Sequence, residues 1–375
     1  MKQHQSAGTS ASGFQAEKHF IGKSLEDLPT PVIVADLEAL EANLSLMAGY
    51  FAGRHCRLRP HFKSHKCITL ARRQLAAGNA SGITCAKVSE AERLVSGGVR
   101  DVLIANQVIG QDKVRRVAEL NRRAAVRILV DSPEGVGQIS CAAAEKSVTV
   151  GVLVEVDIGM NRCGVPPGEP ALELAGMAAM SRGLRFDGLQ GYEGHLVGLE
   201  DYRERKRKVC KALESLVATR KLVEDAGLPV VIVSAGGTGT YTITGNFEGI
   251  DEIQPGSYAL MDSFYRKITP EFRLARFILA TVISRQGQRA VADVGLKGMG
   301  SEYADAAVAG FPEAKVLYVA EEHLPIEPLA AEVGDRVRII PPHGCTTNNL
   351  HERMWIARGG IIEDVWDIEG RGCLE

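Results

Sequence analysis

An α/β architecture, a (β/α)8 TIM barrel followed by a smaller, mostly β domain, is what this chain of 375 residues predicts. Two observations carry the prediction. Eight short β-rich runs alternate with helical stretches between Arg57 and Tyr258, and from about Arg266 onward helical windows give way to alternating runs and turns. Strand–helix alternation implies parallel pairing through right-handed crossovers, and eight such units close naturally into a barrel. An open doubly wound sheet is the competing arrangement.

The elements follow in order. Residues 1–27 are polar and are expected to include a frayed tail. A strand over Pro31–Ala35 leads to Asp36, a good N-cap for the amphipathic run Leu37–Met47. This strand precedes the eight repeating units, and it could join the later β domain across the termini. The barrel strands are expected at Arg57–Lys63, Gly82–Lys87, Asp101–Asn106, Val126–Asp131, Val148–Asp157, Gly188–Gly194, Val230–Ala235 and Asp251–Tyr258. Between them lie helical windows such as Ser89–Ser96 and Asp201–Ala226, rich in Leu, Ala, Glu, Lys and Arg. The later strands are expected at Leu274–Ser284, Arg289–Asp293, Lys315–Ala320, Arg336–Ile340 and Met354–Arg358. The chain thus divides into a barrel over 28–265 and a β-rich domain over 266–375.

Composition narrows the function. Hydrophobic residues make up 45% and charged residues 24%, as in a soluble globular protein, and a net charge of −2 argues against nucleic acid or an anionic membrane as partner. No apolar window reaches membrane-spanning length, and the first residues do not resemble a secretory signal. Eight cysteines without a CxxC pair or framework spacing suggest reduced thiols and a cytoplasmic location. Small-molecule chemistry is the remaining expectation.

The segment Arg59-Pro60-His61-Phe62-Lys63-Ser64-His65-Lys66 sets a lysine between two histidines where the first barrel strand should end. A partly desolvated amine there is a candidate Schiff-base former, although the segment alone reads equally as a solvated basic loop. Barrel enzymes place catalytic groups at the carboxyl ends of strands. Arg162, in the turn after the fifth strand, and Tyr192, at the end of the sixth, fall on the same rim. The loop Ala235-Gly236-Gly237-Thr238-Gly239-Thr240 and the run Pro255-Gly256-Ser257 follow the seventh and eighth strands, the usual phosphate site of this architecture. An amine facing a phosphate cradle across a barrel mouth suits pyridoxal phosphate.

Thr30-Pro31 through Asp36, RPHFKSHK, GMNRCGV, AGGTGTY, EIQPGSYALMD and PPHGCTTNNLH together resemble the D-threonine aldolase and D-serine dehydratase family. These are fold-type III pyridoxal phosphate enzymes related to alanine racemase, and the resemblance runs from about residue 28 onward. It implies that Lys63 carries the cofactor and that Arg162 lies by the phenolic oxygen. It places Tyr192 near the ring nitrogen, with Thr238, Gly239, Thr240, Gly256 and Ser257 on the phosphate. It implies a homodimer, with the second domain of one subunit bordering the site of the other.

The family's second feature is a divalent metal in the C-terminal domain. His343 and Cys345 are two apart, so on an extended segment both would project from one face. A bare pair of this kind is commonly coincidence; the surrounding match makes it half of a metal site, completed by substrate oxygen and water. Thiolate ligation favours zinc over manganese or magnesium. Aldolases of the family carry His-x-Asp here and dehydratases His-x-Cys, which this chain has. The GTGTY loop and Asn349-Leu350-His351 look more like the aldolase branch. His195 stands where it can act as acid or base, or serve only as a hydrogen-bonded rim residue. The resemblance implies a lyase acting on small D-3-hydroxy amino acids, either by retro-aldol cleavage to glycine and an aldehyde or by dehydration to an oxo acid and ammonia. A racemase would need a second base and no metal, and a non-catalytic cofactor carrier would hardly need the metal motif.

Overall fold

The computed structural model describes residues 18–375. The frayed tail expected within residues 1–27 lies, for residues 1–17, outside the described residues. From Lys18 the chain is packed: the Gly22 and Leu25 amides donate to Ile362 and Gly360 carbonyls at 2.8 and 2.9 Å.

Strand β1 (Val32–Asp36) runs into α1 (Leu37–Phe51), whose Ala39 amide donates to Asp36 Oδ1 at 3.0 Å. The eight following strands are β2 (Arg57–Leu58), β3 (Ile83–Cys85), β4 (Asp101–Gln107), β5 (Ala125–Val130), β6 (Val150–Glu155), β7 (Leu184–Gln190), β8 (Ile232–Ala235) and β9 (Glu252–Ile253). They form one sheet in the order β2-β9-β8-β7-β6-β5-β4-β3, with every neighbouring pair parallel. Bridges Leu58–Ala80 and His61–Thr84 join its two edges, so the sheet is a barrel and not an open doubly wound layer.

Each expected run contains a strand, with shifted ends. The first is short because Pro60 lacks an amide to donate and the chain then turns into a 3-10 helix, Phe62–Ser64. The sixth, β7, begins earlier than expected, at Leu184, because Arg185 and Asp187 are used in an ion-pair network at the amino end of the barrel. There Arg59 Nε lies 2.7 Å from Glu252 and its Nη1 2.5 Å from Asp101, Arg127 bridges Asp101 and Asp187 at 2.8 and 2.7 Å, and Arg185 reaches Asp187 at 2.5 Å. Burial would raise the Asp101 carboxyl, but Arg59 and Arg127 outweigh it and hold it below the usual range. Arg59 is 2% exposed, and removing it strands the buried Glu252. Arg59→Met is expected to cost about 3–5 kcal/mol, read as a lower urea midpoint.

The second sheet has nine strands. Besides β1 it contains β10 (Arg276–Gln286), β11 (Arg289–Ala292), β12 (Ala307–Val308), β13 (Lys315–Val316), β14 (Leu324–Glu327), β15 (Arg336–Ile340), β16 (Arg353–Arg358) and β17 (Ile361–Asp367). Strand β1 pairs antiparallel with β10 and parallel with β16. Residues 32–36, counted with the barrel when the chain is divided at 265, thus pair in the second sheet. Met354, Ile356 and Trp366 of that sheet belong to the same apolar core as the barrel, so one packed body carries both sheets.

Candidate active site

The turn that holds Lys63 is built by the histidines on either side of it. His61 caps the 3-10 helix, its Nδ1 accepting from the Lys63 amide at 3.4 Å. His65 is fully buried: its Nδ1 accepts from the Cys67 amide at 3.1 Å and its Nε2 meets Gln74 Oε1 at 3.0 Å. Burial pulls the His65 imidazole down to about 3, so it is neutral in the folded protein. Its folded value lies below its ordinary one of 6.5, so the stability it contributes is complete above pH 6.5 and is lost as pH falls toward 3. Between pH 7.5 and 5 this amounts to about 2 kcal/mol, and His65→Gln should shrink the fall in urea midpoint across that interval accordingly.

Lys63 opens into a cavity of about 740 Å³ at the carboxyl ends of the barrel strands. Arg162, Tyr192, His195, Thr238, Gly256, Ser257, His343 and Cys345 line the same cavity. The Arg162 guanidinium lies 5.7 Å from the centre of the Tyr192 ring and 3.9 Å from Glu155 Oε1. Burial and then Glu193 push the Tyr192 phenol up. His195 is exposed at the rim, against the Gly159 turn.

Gly239 and Thr240 do not line the cavity. A Cβ at Gly239 would stand 2.3 Å from the Val197 carbonyl oxygen, so this glycine answers to packing. The Thr240 hydroxyl donates to buried Glu193 at 2.7 Å, and Glu193 also accepts from the Thr244 hydroxyl at 2.5 Å and the Gly236 amide at 3.1 Å. Glu193 thereby pins the glycine-rich loop from below. At Gly256 a Cβ would lie 2.1 Å from Ser64 Oγ, so only glycine lets this loop approach the Lys63 turn.

His343 and Cys345 reach the cavity by a different geometry from the extended one expected. His343 is extended, with φ −140° and ψ 123°, but a short helix, Gly344–Asn349, starts immediately after it and carries Cys345 in its first turn. The helix starts there because the Gly344 amide donates to Asp262 at 3.0 Å, and a Cβ at Gly344 would fall 1.8 Å from the buried Arg276 guanidinium. His343 Nδ1 is buried with no hydrogen-bond partner among the described residues; the nearest carboxylate, Glu302, is 3.8 Å away. Burial would raise the Cys345 thiol, yet His343, Lys66 and Lys63 together bring it down to about 7. An orphaned imidazole nitrogen beside an acidified thiol fits a soft divalent metal. Among the described residues no group of three His, Cys, Asp or Glu side chains could hold an ion, so water or substrate would have to complete the shell.

Several lining residues went unremarked in the sequence. Gln107 and Gln190 end β4 and β7, and Gln254 follows β9; Gln107 donates to Glu155, and Gln254 to Gln190 at 2.7 Å. A glutamine at or just beyond the carboxyl end of a barrel strand is the signal that marks them. Phe264 and Tyr303 form an aromatic edge beside His343, with the Tyr303 ring 4.7 Å from the imidazole. Arg353 and Arg358 lie outside the cavity, paired with Asp367 and with Glu41 and Glu363 respectively.

Comparison with known proteins accords with this arrangement. Residues 35–263 match the alanine racemase N-terminal domain and residues 275–357 a serine dehydratase domain. The chain is 36% identical to a D-threonine aldolase from Arthrobacter, over 94% of this chain and 95% of that protein. It is 34% identical to a 3-hydroxy-D-aspartate aldolase from Paracoccus denitrificans, over 94% of each. A D-threo-3-hydroxyaspartate dehydratase from Delftia is 30% identical over 86% of this chain and 93% of that one. The crystal structure of D-threonine aldolase from Filomicrobium marinum superposes with a TM-score of 0.92 at 37% identity, covering 95% of this chain and 99% of the other. With the barrel, the second sheet and both domain matches in place, the chain belongs to the D-threonine aldolase and D-serine dehydratase family of fold-type III pyridoxal phosphate lyases.

Proposed function

We propose that the protein cleaves small D-3-hydroxy amino acids to glycine and an aldehyde. The observation that carries the reading is that the Lys63 amine and the His343–Cys345 pair line one cavity, so an amino acid held at the first can present its β-hydroxyl to the second. The aldolase relatives match at higher identity than the dehydratase, which favours carbon–carbon cleavage.

Lys63 would hold pyridoxal phosphate, with Thr238, Gly256 and Ser257 at its phosphate and Arg162 and Tyr192 along its ring. Gly239 and Thr240 act beneath this site, through Val197 and Glu193. His343 and Cys345 would hold the metal, for which a thiolate and an imidazole favour zinc. When bound, the cofactor supplies an electron sink for the pair left at Cα, and the metal a Lewis acid for the substrate hydroxyl. His195, at the rim, takes the hydroxyl proton as the Cα–Cβ bond breaks. His195→Asn should lower kcat about 10²-fold or more with little change in KM, and an unchanged kcat would remove it from this role. One observation favours dehydration instead, the thiol at Cys345 in the form the family's dehydratases carry.

The barrel supplies the cofactor residues and the second domain the metal pair, both from one chain. The protein is proposed to act as a homodimer whose partner covers the cavity mouth, where Tyr303 is 73% exposed. A concentration-independent monomer in sedimentation would contradict this. Among the described residues no helix is long and apolar enough to cross a membrane; the cytoplasmic location suggested by the cysteines is kept as part of the proposal. Purified protein given pyridoxal phosphate and zinc should consume D-threonine and spare L-threonine; indifference to both would remove the substrate assignment.

A further inference from the structure

Lys66 is three residues beyond Lys63 but does not share its role. It has φ +57°, in the left-handed region, and this bends the chain so that its side chain turns away from the cavity and back under the turn it follows. Its Nζ donates to the Lys63 carbonyl at 2.7 Å and to the Cys345 carbonyl at 2.8 Å. One ammonium therefore joins the main chain of the cofactor lysine to the main chain of a metal ligand. Its own carbonyl accepts from the Gly370 amide at 2.8 Å, which fixes the third side of the junction. A parallel link runs alongside: Asn348, in the helix that carries Cys345, donates to the Ser64 carbonyl at 2.9 Å. Ser64 Oγ and Cys345 Sγ are 3.8 Å apart.

We propose that Lys66 is a positioning residue that sets the distance between the cofactor lysine and the metal pair by clamping the Lys63 and Cys345 turns together. The proposal rests on the metal reading of His343 and Cys345. The physical case is that a half-buried ammonium loses part of its hydration and gains in its place two carbonyl acceptors, one on each turn. Removing it takes the shared donor from both carbonyls and lets the short helix bearing Cys345 drift from the barrel. Displacements of this kind behind metal ligands typically weaken metal binding by about 10- to 100-fold.

The test uses the full chain loaded with pyridoxal phosphate and stripped of metal, with zinc titrated against a chromophoric chelator. Lys66→Met, which keeps the side-chain volume, should bind zinc about 10- to 100-fold more weakly than wild type. It should keep the visible absorption of the lysine-linked cofactor and the metal-free melting temperature of the wild type. Should that variant not fold, Lys66→Gln is scored by the same criteria. Zinc affinity within about threefold of wild type overturns the proposal, as does loss of cofactor absorption together with zinc, which marks a merely structural residue. If Cys345→Ala binds zinc as wild type does, the metal reading itself fails and the proposal falls with it.

Discussion

Lys63→Ala is expected to lower turnover of D-threonine by at least about 10³-fold and to abolish the visible absorption of the lysine-linked cofactor. The argument is positional. Of the lysines in the segment, Lys63 lines the cavity, whereas the Lys66 amine is spent on two carbonyls. The histidines beside it cannot substitute, because His61 and His65 are buried and held neutral, each with a ring nitrogen accepting from a nearby amide. Lys66→Met should therefore keep the absorption that Lys63→Ala loses. The reverse pattern would assign the cofactor to the wrong lysine here.

Chelation should silence the enzyme, lowering activity by about 10²-fold or more, because a Lewis acid on the substrate hydroxyl is worth several kcal/mol and each 1.4 kcal/mol is a factor of ten. Zinc should restore activity, and magnesium should do so poorly, since a thiolate and an imidazole are a soft donor set. His343→Ala and Cys345→Ala should each reproduce the chelated state and gain little from added zinc. Full activity in the presence of excess chelator would return the chain to a metal-independent chemistry.

The barrel was legible because its rhythm is local. Each apolar run flanked by helix formers announces itself within about ten residues, and the strand ends moved where local chemistry intervened, as Pro60 does after β2 and Arg185 and Asp187 do in β7. The second sheet was harder. Strand β14 contains Pro325 and β17 contains Glu363 and Asp364, so neither shows the expected alternation, and the placement of β1 between β10 and β16 depends on pairing across most of the chain. At the site, Lys63, Arg162, Tyr192 and the His343–Cys345 pair could be named because their residue types are chemically loaded. What the loop after β8 does could not. Thr238 and Thr240 look alike in sequence, yet one faces the cavity and the other is bound to Glu193, a carboxylate more than forty residues earlier in the chain. The clamp by Lys66 was invisible for the same reason: its meaning lies in a carbonyl of the second domain, 279 residues later in the chain.

The central claim is carbon–carbon cleavage, and product identity tests it most directly. Wild-type protein with pyridoxal phosphate and zinc would be incubated with D-threonine and the mixture followed by proton NMR. Glycine and acetaldehyde appearing in equal amounts, in step with loss of D-threonine, is the result predicted. 2-Oxobutanoate and ammonia, with no glycine, would contradict it and make the thiol of Cys345 the better guide to the reaction.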